Sequence, residues 1–373
     1  MIKRSRVGLL LIMFCLGCLF PAEDRGTTTE AQGTETLTKK CKNRLIFSPL
    51  VFYTPETRLA FGGAGSYIFR IAGCKENARP SSVSPIVIYT LEKQFKAQLS
   101  TKLYFKNNNY RLESEIKFEK FPNKFFGIGG QTLASAEESY TSRGINLQVV
   151  VVKKLVRGFN IGLGYRFMDW DIVKVEGDGQ LIRGDIVGSG GGRISGWSLL
   201  LERDTRDNIF FPLQGDLFKF EAWYYPEFLG SDFEFTTFTL DLRKYFRLFS
   251  SHVLAVQSLM IIQGGTVPFL HLAQLGGQYT MRGYFEGRFR DKNLLAFQAE
   301  YRLPLFGRFG FVGFAGFGNV AAKFNRLDLG ELKSSYGFGF RYLFSKSEKI
   351  QVRFDFGFGE GSSGFYASIF EAF

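Results

Sequence analysis

From Arg44 to Phe373 the 373-residue chain repeats one pattern: apolar and polar residues alternate with a period of two. Phe95, Ala97, Leu99, Thr101, Leu103 and Phe105 alternate with Lys96, Gln98, Ser100, Lys102 and Tyr104. Ile350, Val352, Phe354, Phe356 and Phe358 alternate with Gln351, Arg353, Asp355 and Gly357. Tyr110–Glu119, Phe159–Phe167, Phe235–Tyr245 and Ser335–Tyr342 read the same way. Successive side chains of a strand point to opposite faces, so each segment is a strand with one greasy and one polar side. A soluble sandwich also alternates. Here the segments are about ten residues long and fill the chain, as membrane-spanning strands do. Their apolar side is rich in Phe and Tyr, which suit lipid and its interfaces. The 43 Gly and 43 Phe residues supply the turns and the lipid face. The expected fold is therefore all-β, a transmembrane antiparallel β-barrel.

Connections in such a barrel alternate between short turns and long loops. Short ones fall near Lys106–Asn109, Lys153–Gly158, Arg247–Ser251, Leu305–Arg308 and Phe344–Lys349. Long ones fall near Pro122–Thr141, Asp171–Arg193, Leu270–Asp291 and Gly318–Glu331. Thr205–Gln214 then lies on the periplasmic side, and the count comes to about sixteen strands. The first is expected over Arg44–Tyr53, the second over Arg58–Ile71 and the last over Phe365–Phe373, with Phe365, Ala367, Ile369 and Phe373 on one face.

Ahead of the barrel, Lys3, Arg4 and Arg6 precede the apolar run Val7–Phe20, so residues 1–22 read as a signal peptide. Leu16-Gly17-Cys18 leaves lipidation at Cys18 as an alternative. Residues 23–43 are polar and read as a disordered periplasmic tail. Cys41 and Cys74 flank the first two strands on the periplasmic side of an exported chain, where disulfides persist, and are expected to pair.

The net charge of +12 is spread along alternating strands, which argues for wetted lumenal faces and against nucleic acid. Two cysteines and two distant histidines, His252 and His271, offer no metal site, and no cofactor is expected. Ser362-Ser363-Gly364 lacks the setting of a nucleophile elbow, and the Gly188–Gly192 run precedes a strand rather than a helix. An enzyme is not expected. The charges that matter face inward: Glu300, Arg302, Arg341, Arg353 and Asp355, with Asp241 and Arg243. In lipid each would cost roughly 2–4 kcal/mol at the midplane. In a lumen they can hold a loop, because a confined guanidinium favours bidentate carboxylates.

Met281-Arg282-Gly283-Tyr284 lies in the long loop, after Leu275-Gly276-Gly277 and before the strand Gln298–Pro304. This resembles the [V/I/L]-R-G-[F/Y] loop of the BamA/TamA outer-membrane barrel superfamily. Asp204, Arg206, Asp207, Pro212 and Gly215 resemble its D-x-R-D-x-x-x-x-P-x-x-G turn. Tyr53–Thr57 with Gly62 and Gly63 resembles the opening of its short, bacterial surface antigen-type members, and the terminal Phe strand resembles the assembly signal of outer-membrane proteins. The resemblance spans Arg44–Phe373. It implies a loop folded inward with Arg282 against Glu300. Gly316 stands where the family has a further acid, which implies a reduced lock with Asp355 as substitute. The short polar N-terminus implies a member without POTRA domains. It also implies residence in the bacterial outer membrane among its lipids. The implied role is assisting membrane insertion or translocation of an unidentified protein or lipid partner. A passive pore or surface antigen stays open as the alternative.

Overall fold

The structure, a computed structural model, describes residues 43–71, 79–249, 251–345 and 350–373. The expected signal peptide, nearly all of the expected tail, and both cysteines of the expected Cys41–Cys74 disulfide lie outside these residues.

Sixteen antiparallel strands close into a barrel. They are β1 (Arg44–Thr54), β2 (Arg58–Phe69), β3 (Ser81–Thr90), β4 (Phe95–Phe105), β5 (Tyr110–Phe125), β6 (Glu138–Lys154), β7 (Phe159–Glu176) and β8 (Gly191–Asp204). β9 (Gly215–Tyr225), β10 (Phe235–Leu248) and β11 (His252–Gly265) continue the wall. The loop that follows carries its own two-stranded sheet, β12 (Ala273–Leu275) with β13 (Phe289–Asp291). β14 (Asn293–Pro304), β15 (Phe309–Ala321), β16 (Lys333–Ser345), β17 (Ile350–Gly359) and β18 (Ser362–Ile369) complete the wall.

Burial follows the alternation. Along β14, Ala296, Gln298, Glu300 and Arg302 are buried while Phe297 and Tyr301 are exposed. Closure leaves edges only where β1 meets β18, and the outward aromatic face suits lipid. The lumen is filled unevenly. Beneath the long loops, Phe125, Tyr140, Trp170, Trp223 and Phe269 form an aromatic core. Along β3–β6 the inner wall stays polar, with Lys102 paired to Glu113 at 2.9 Å.

Three details differ from the sequence pattern. The β5–β6 and β7–β8 hairpins run further into the long loops than expected, pairing Phe125 with Glu138 and Asp171 with Gly191. Packing of Phe125, Tyr140 and Trp170 under the loops supports the extra rungs. The β2–β3 ladder omits Gly65 and Ser66, where Pro85, opposite Gly65, has no N–H to donate. Third, the last strand stops at Ile369, not Phe373. Phe370 takes a left-handed φ of 66° and the chain turns into the lumen. Phe373 is buried with Tyr245, Val253 and Ala255, so it does not share the lipid face of Phe365.

The ring closes weakly. Elsewhere neighbouring strands pair over most of their length. Among the described residues, β1 and β18 pair only at Tyr53 with Ala367. Continuing that register would set Phe47 beside Phe373, but the chain has already left the wall. Leu45 and Phe47 are 80% and 68% exposed along this unpaired half of β1.

Candidate functional site

The loop between β11 and β14 folds into the lumen and lies on the inner face of β17. Its Met281 and Gly283 both have positive φ, 63° and 113°. A side chain on Gly283 would strike the backbone of Phe358 and Gly359 at 2.6–2.9 Å. The bed is equally bare: a Cβ on Gly357 would meet the Arg282 carbonyl carbon at 2.7 Å. Gly357 in β17 therefore makes room for the Arg282-Gly283 backbone, and Gly359 for the Tyr284 ring.

That close approach sets Arg282 between two acids. Its Nη1 donates to Asp355 Oδ2 at 2.6 Å, and its Nη2 donates to Glu300 Oε1. The guanidinium carbon lies 3.6 Å from the Phe314 ring centroid, a cation–π contact. Arg302 holds the other oxygen of Glu300 at 2.8 Å, and Arg341 holds Asp355 Oδ1 at 2.5 Å. Arg353 reaches Asp355 at 3.3 Å and bonds Gln278 of the loop. All six side chains are buried, and each of the four guanidinium groups touches at least one of the two carboxylates, as a low-dielectric site demands; Glu371, beside Arg341, offsets part of the remaining positive charge.

Gly316 leaves Arg282 short of no partner. A side chain there would meet Met281 Sδ at 2.9 Å, so Met281 occupies the space an acid would take. The guanidinium reaches Asp355 on β17 instead.

Neutral contacts hold the rest of the loop. Gly283 N–H donates to Tyr366 Oη at 3.0 Å, and Ser362 Oγ donates to the Gly283 carbonyl at 2.6 Å. Tyr284 Oη donates to the Ser334 carbonyl at 2.9 Å. Met281 N–H donates to Gln298, which bonds Gln257, which bonds Asp241 beside Arg243. On the other side of the seam, Glu286 N–H donates to Glu56 Oε1 in the β1–β2 turn at 2.8 Å. The loop thus grips β18 through Tyr366 and Ser362, and β1–β2 through Glu56. It spans the long-loop end of the closing seam.

The turn motif lies at the opposite rim. Arg206 forks onto Asp204, with Nε–Oδ1 at 2.9 Å and Nη2–Oδ2 at 2.7 Å. Asp207 Oδ1 accepts from Leu213 N–H at 2.9 Å and Gln214 N–H at 3.3 Å. Gly215 sits at φ 108°, with Thr205 O 2.4 Å from where a Cβ would be. Pro212 offers its carbonyl to Arg302 at 3.5 Å, and Phe210 stacks on Phe370 at 4.5 Å. Glu371 meets Arg341 at 2.9 Å, and Arg302 donates to the Phe373 carbonyl at 2.9 Å. Turn, terminus and loop clasp are one connected network.

Sequence reasoning missed Tyr366, Phe314, Glu56 and Glu371. Tyr366 carried a signal: with Phe365 and Ala367 facing lipid, it must face inward, where a hydroxyl needs a partner. Glu56 and Glu371 carried none, since both lie outside regular strands.

A closed barrel of sixteen strands with a lumenal loop anchored by an Arg-Gly pair defines a class of outer-membrane fold. Residues 79–373 match the model of the Omp85 superfamily domain, and the chain belongs to that superfamily. No curated protein matches in sequence. Among solved structures the barrel is similar to BamA from Haemophilus ducreyi lacking POTRA domains 1–3, with TM-score 0.64, 15% identity, and coverage of 88% of this chain and 71% of that one. It is similar to CdiB from Acinetobacter baumannii, at TM-score 0.55, 12% identity, 88% of this chain and 59% of that one. CdiB from Escherichia coli gives TM-score 0.55, 10% identity, 88% and 67%. At these identities the likeness is one of fold.

Proposed function

We propose that the chain works in the bacterial outer membrane by opening its β1–β18 seam to insert or translocate a protein or lipid partner. The observation that carries this reading is the seam itself, paired among the described residues only at Tyr53 and Ala367. From Arg44 to Leu50, β1 pairs with β2 on one edge, but the N–H and C=O groups on its other edge face no barrel strand. Unpaired edges are templates for an incoming strand, which main-chain hydrogen bonds would hold. Pro49 in β1 suits an edge strand, where a missing donor is tolerated.

The loop clasp sets where the seam parts. Tyr366 and Glu56 tie its long-loop end through the loop, so opening starts at the short-turn end. On this reading the long loops face outward and the Thr205–Gln214 turn faces the periplasm. The clasp around Arg282, Gly283, Tyr284, Glu300 and Asp355 is a structural latch.

A tether tests the reading. Val51→Cys with Ile369→Cys, two residues from the Tyr53–Ala367 rung towards the short-turn end and oxidised in proteoliposomes, should block membrane insertion of an unfolded β-barrel substrate, and reductant should restore it. Equal insertion by the oxidised and reduced forms would end the seam hypothesis.

A further inference from the structure

The lipid-facing wall between β8 and β15 holds a groove of about 630 Å³. Its floor is one transverse row of small side chains, with Val256 opposite Ala299 and Ala299 opposite Ala315. These point outward, because Ala255, Gln257, Gln298 and Glu300 alternate to the buried side. Large side chains stand along one flank: Phe218 opposite Leu242, and Phe297 opposite Phe317. Tyr301 and Phe338, both exposed, stand on the other.

The same row ends in charge. Lys244 lies opposite Val256, and Asp216 opposite Lys244. Lys244 Nζ is 3.1 Å from one Asp216 oxygen and Arg203 Nη1 is 2.8 Å from the other. Two cations share one carboxylate, so a positive charge is left over. The Lys244 and Arg203 side chains are 47% and 38% exposed, with donors to spare. The row also climbs. Asp216 is the second residue of β9, at the short-turn rim, whereas Ala315 lies midway along β15. A cation on a lipid face costs least at the interface, where this pair sits.

We propose that the groove binds one anionic glycerophospholipid. Its phosphate lies between Arg203 and Lys244, and one acyl chain runs along Val256, Ala299 and Ala315. The flanking rows are two residues to either side along each strand, or about 13 Å apart between backbones. After their rings are subtracted, an acyl chain fits and a helix of roughly 10–12 Å does not. The excess positive charge favours a phosphate diester without an ammonium group. The site uses the barrel's place in the membrane but neither the seam nor the loop, so it stands or falls apart from the insertion reading.

Native mass spectrometry of the full chain, delipidated and titrated with phosphatidylglycerol or phosphatidylcholine, tests it. One phosphatidylglycerol should be retained preferentially, and glycerol 3-phosphate should not displace it. Arg203→Gln with Lys244→Gln should weaken retention roughly twenty-five-fold, about fivefold per cation. Ala299→Phe with Ala315→Phe should weaken both lipids while leaving the cations in place. Asp216→Asn should tighten phosphatidylglycerol binding, a gain that misfolding cannot mimic. Equal retention of the two lipids, full displacement by glycerol 3-phosphate, or indifference to either double variant would each overturn the proposal. So would a dimer that dissociates on Ala299→Phe, which would make a second copy the occupant.

Discussion

Replacing Arg282 with Ala removes the one side chain that, among the described residues, bridges Glu300 and Asp355 across the lumen. Breaking a buried ion pair by deleting one partner costs about 3–5 kcal/mol, most of it from the stranded charge. Neither acid is fully stranded here. Glu300 keeps Arg302 at 2.8 Å, and Asp355 keeps Arg341 at 2.5 Å. That places the ionic loss near the lower bound, about 3 kcal/mol. The lost cation–π contact with Phe314 adds about 1 kcal/mol. A destabilisation of about 4 kcal/mol should lower the melting temperature in detergent by roughly 10 °C. It should also expose the loop, so that trypsin cuts at Arg288 or Arg290, both tied down in the intact structure. Arg282→Lys should fall between, because it keeps the charge but lacks the two separate nitrogens that reach Asp355 and Glu300. Arg193→Ala is the control. Its pair with Asp169 is half-exposed, and its loss should cost less than about 1 kcal/mol. If Arg282→Ala melts within about 2 °C of the parent and its loop resists trypsin, the clasp does not hold the loop.

Burial beside Glu56 pushes the Glu286 carboxyl up to about 7 from 4.5. Protonation of Glu286 therefore stabilises the loop fully below about 4.5, and that support is lost as pH rises through about 7. Loop protection from trypsin should be weaker at pH 8 than at pH 6, and Glu286→Gln should remove the difference. Gly359→Val should lower the melting temperature by several degrees, because a Cβ there meets the Tyr284 ring at 2.6 Å. Gly313→Ala, with nothing within 4 Å, should melt like the parent. Tyr366→Phe removes the hydroxyl that accepts from Gly283 N–H and should cost about 1 kcal/mol in the same melt. In planar bilayers the parent should conduct little and Arg282→Ala more. A steady, large current through the parent would favour a passive pore.

Strand identity was legible because lipid and lumen impose opposite chemistry on successive residues. The alternation alone assigns Glu300, Arg302, Arg353 and Asp355 to the lumen, since lipid would not tolerate them. Closure was far less legible. Phe373 belongs by parity to the lipid face, yet Phe370 turns the chain and Phe373 packs on Tyr245. A single φ in a terminal segment leaves no periodic signal. The partner of Arg282 was half legible. Counting acids near Gly316 pointed to a weakened clasp, but Met281 fills that space and Asp355 is reached across β16. Contacts between strands so far apart in sequence depend on barrel curvature, which no local pattern encodes.

The seam is the claim on which the proposed function rests, and distances across it in a bilayer test it most directly. Spin labels at Val51 and Ile369 would straddle β1 and β18, and labels at Val51 and Phe61 would straddle the fully paired β1–β2 ladder. A seam that parts predicts a broad or two-peaked distance distribution for the first pair and one narrow peak for the second. One narrow peak for both pairs, at the spacing of adjacent strands, would contradict it.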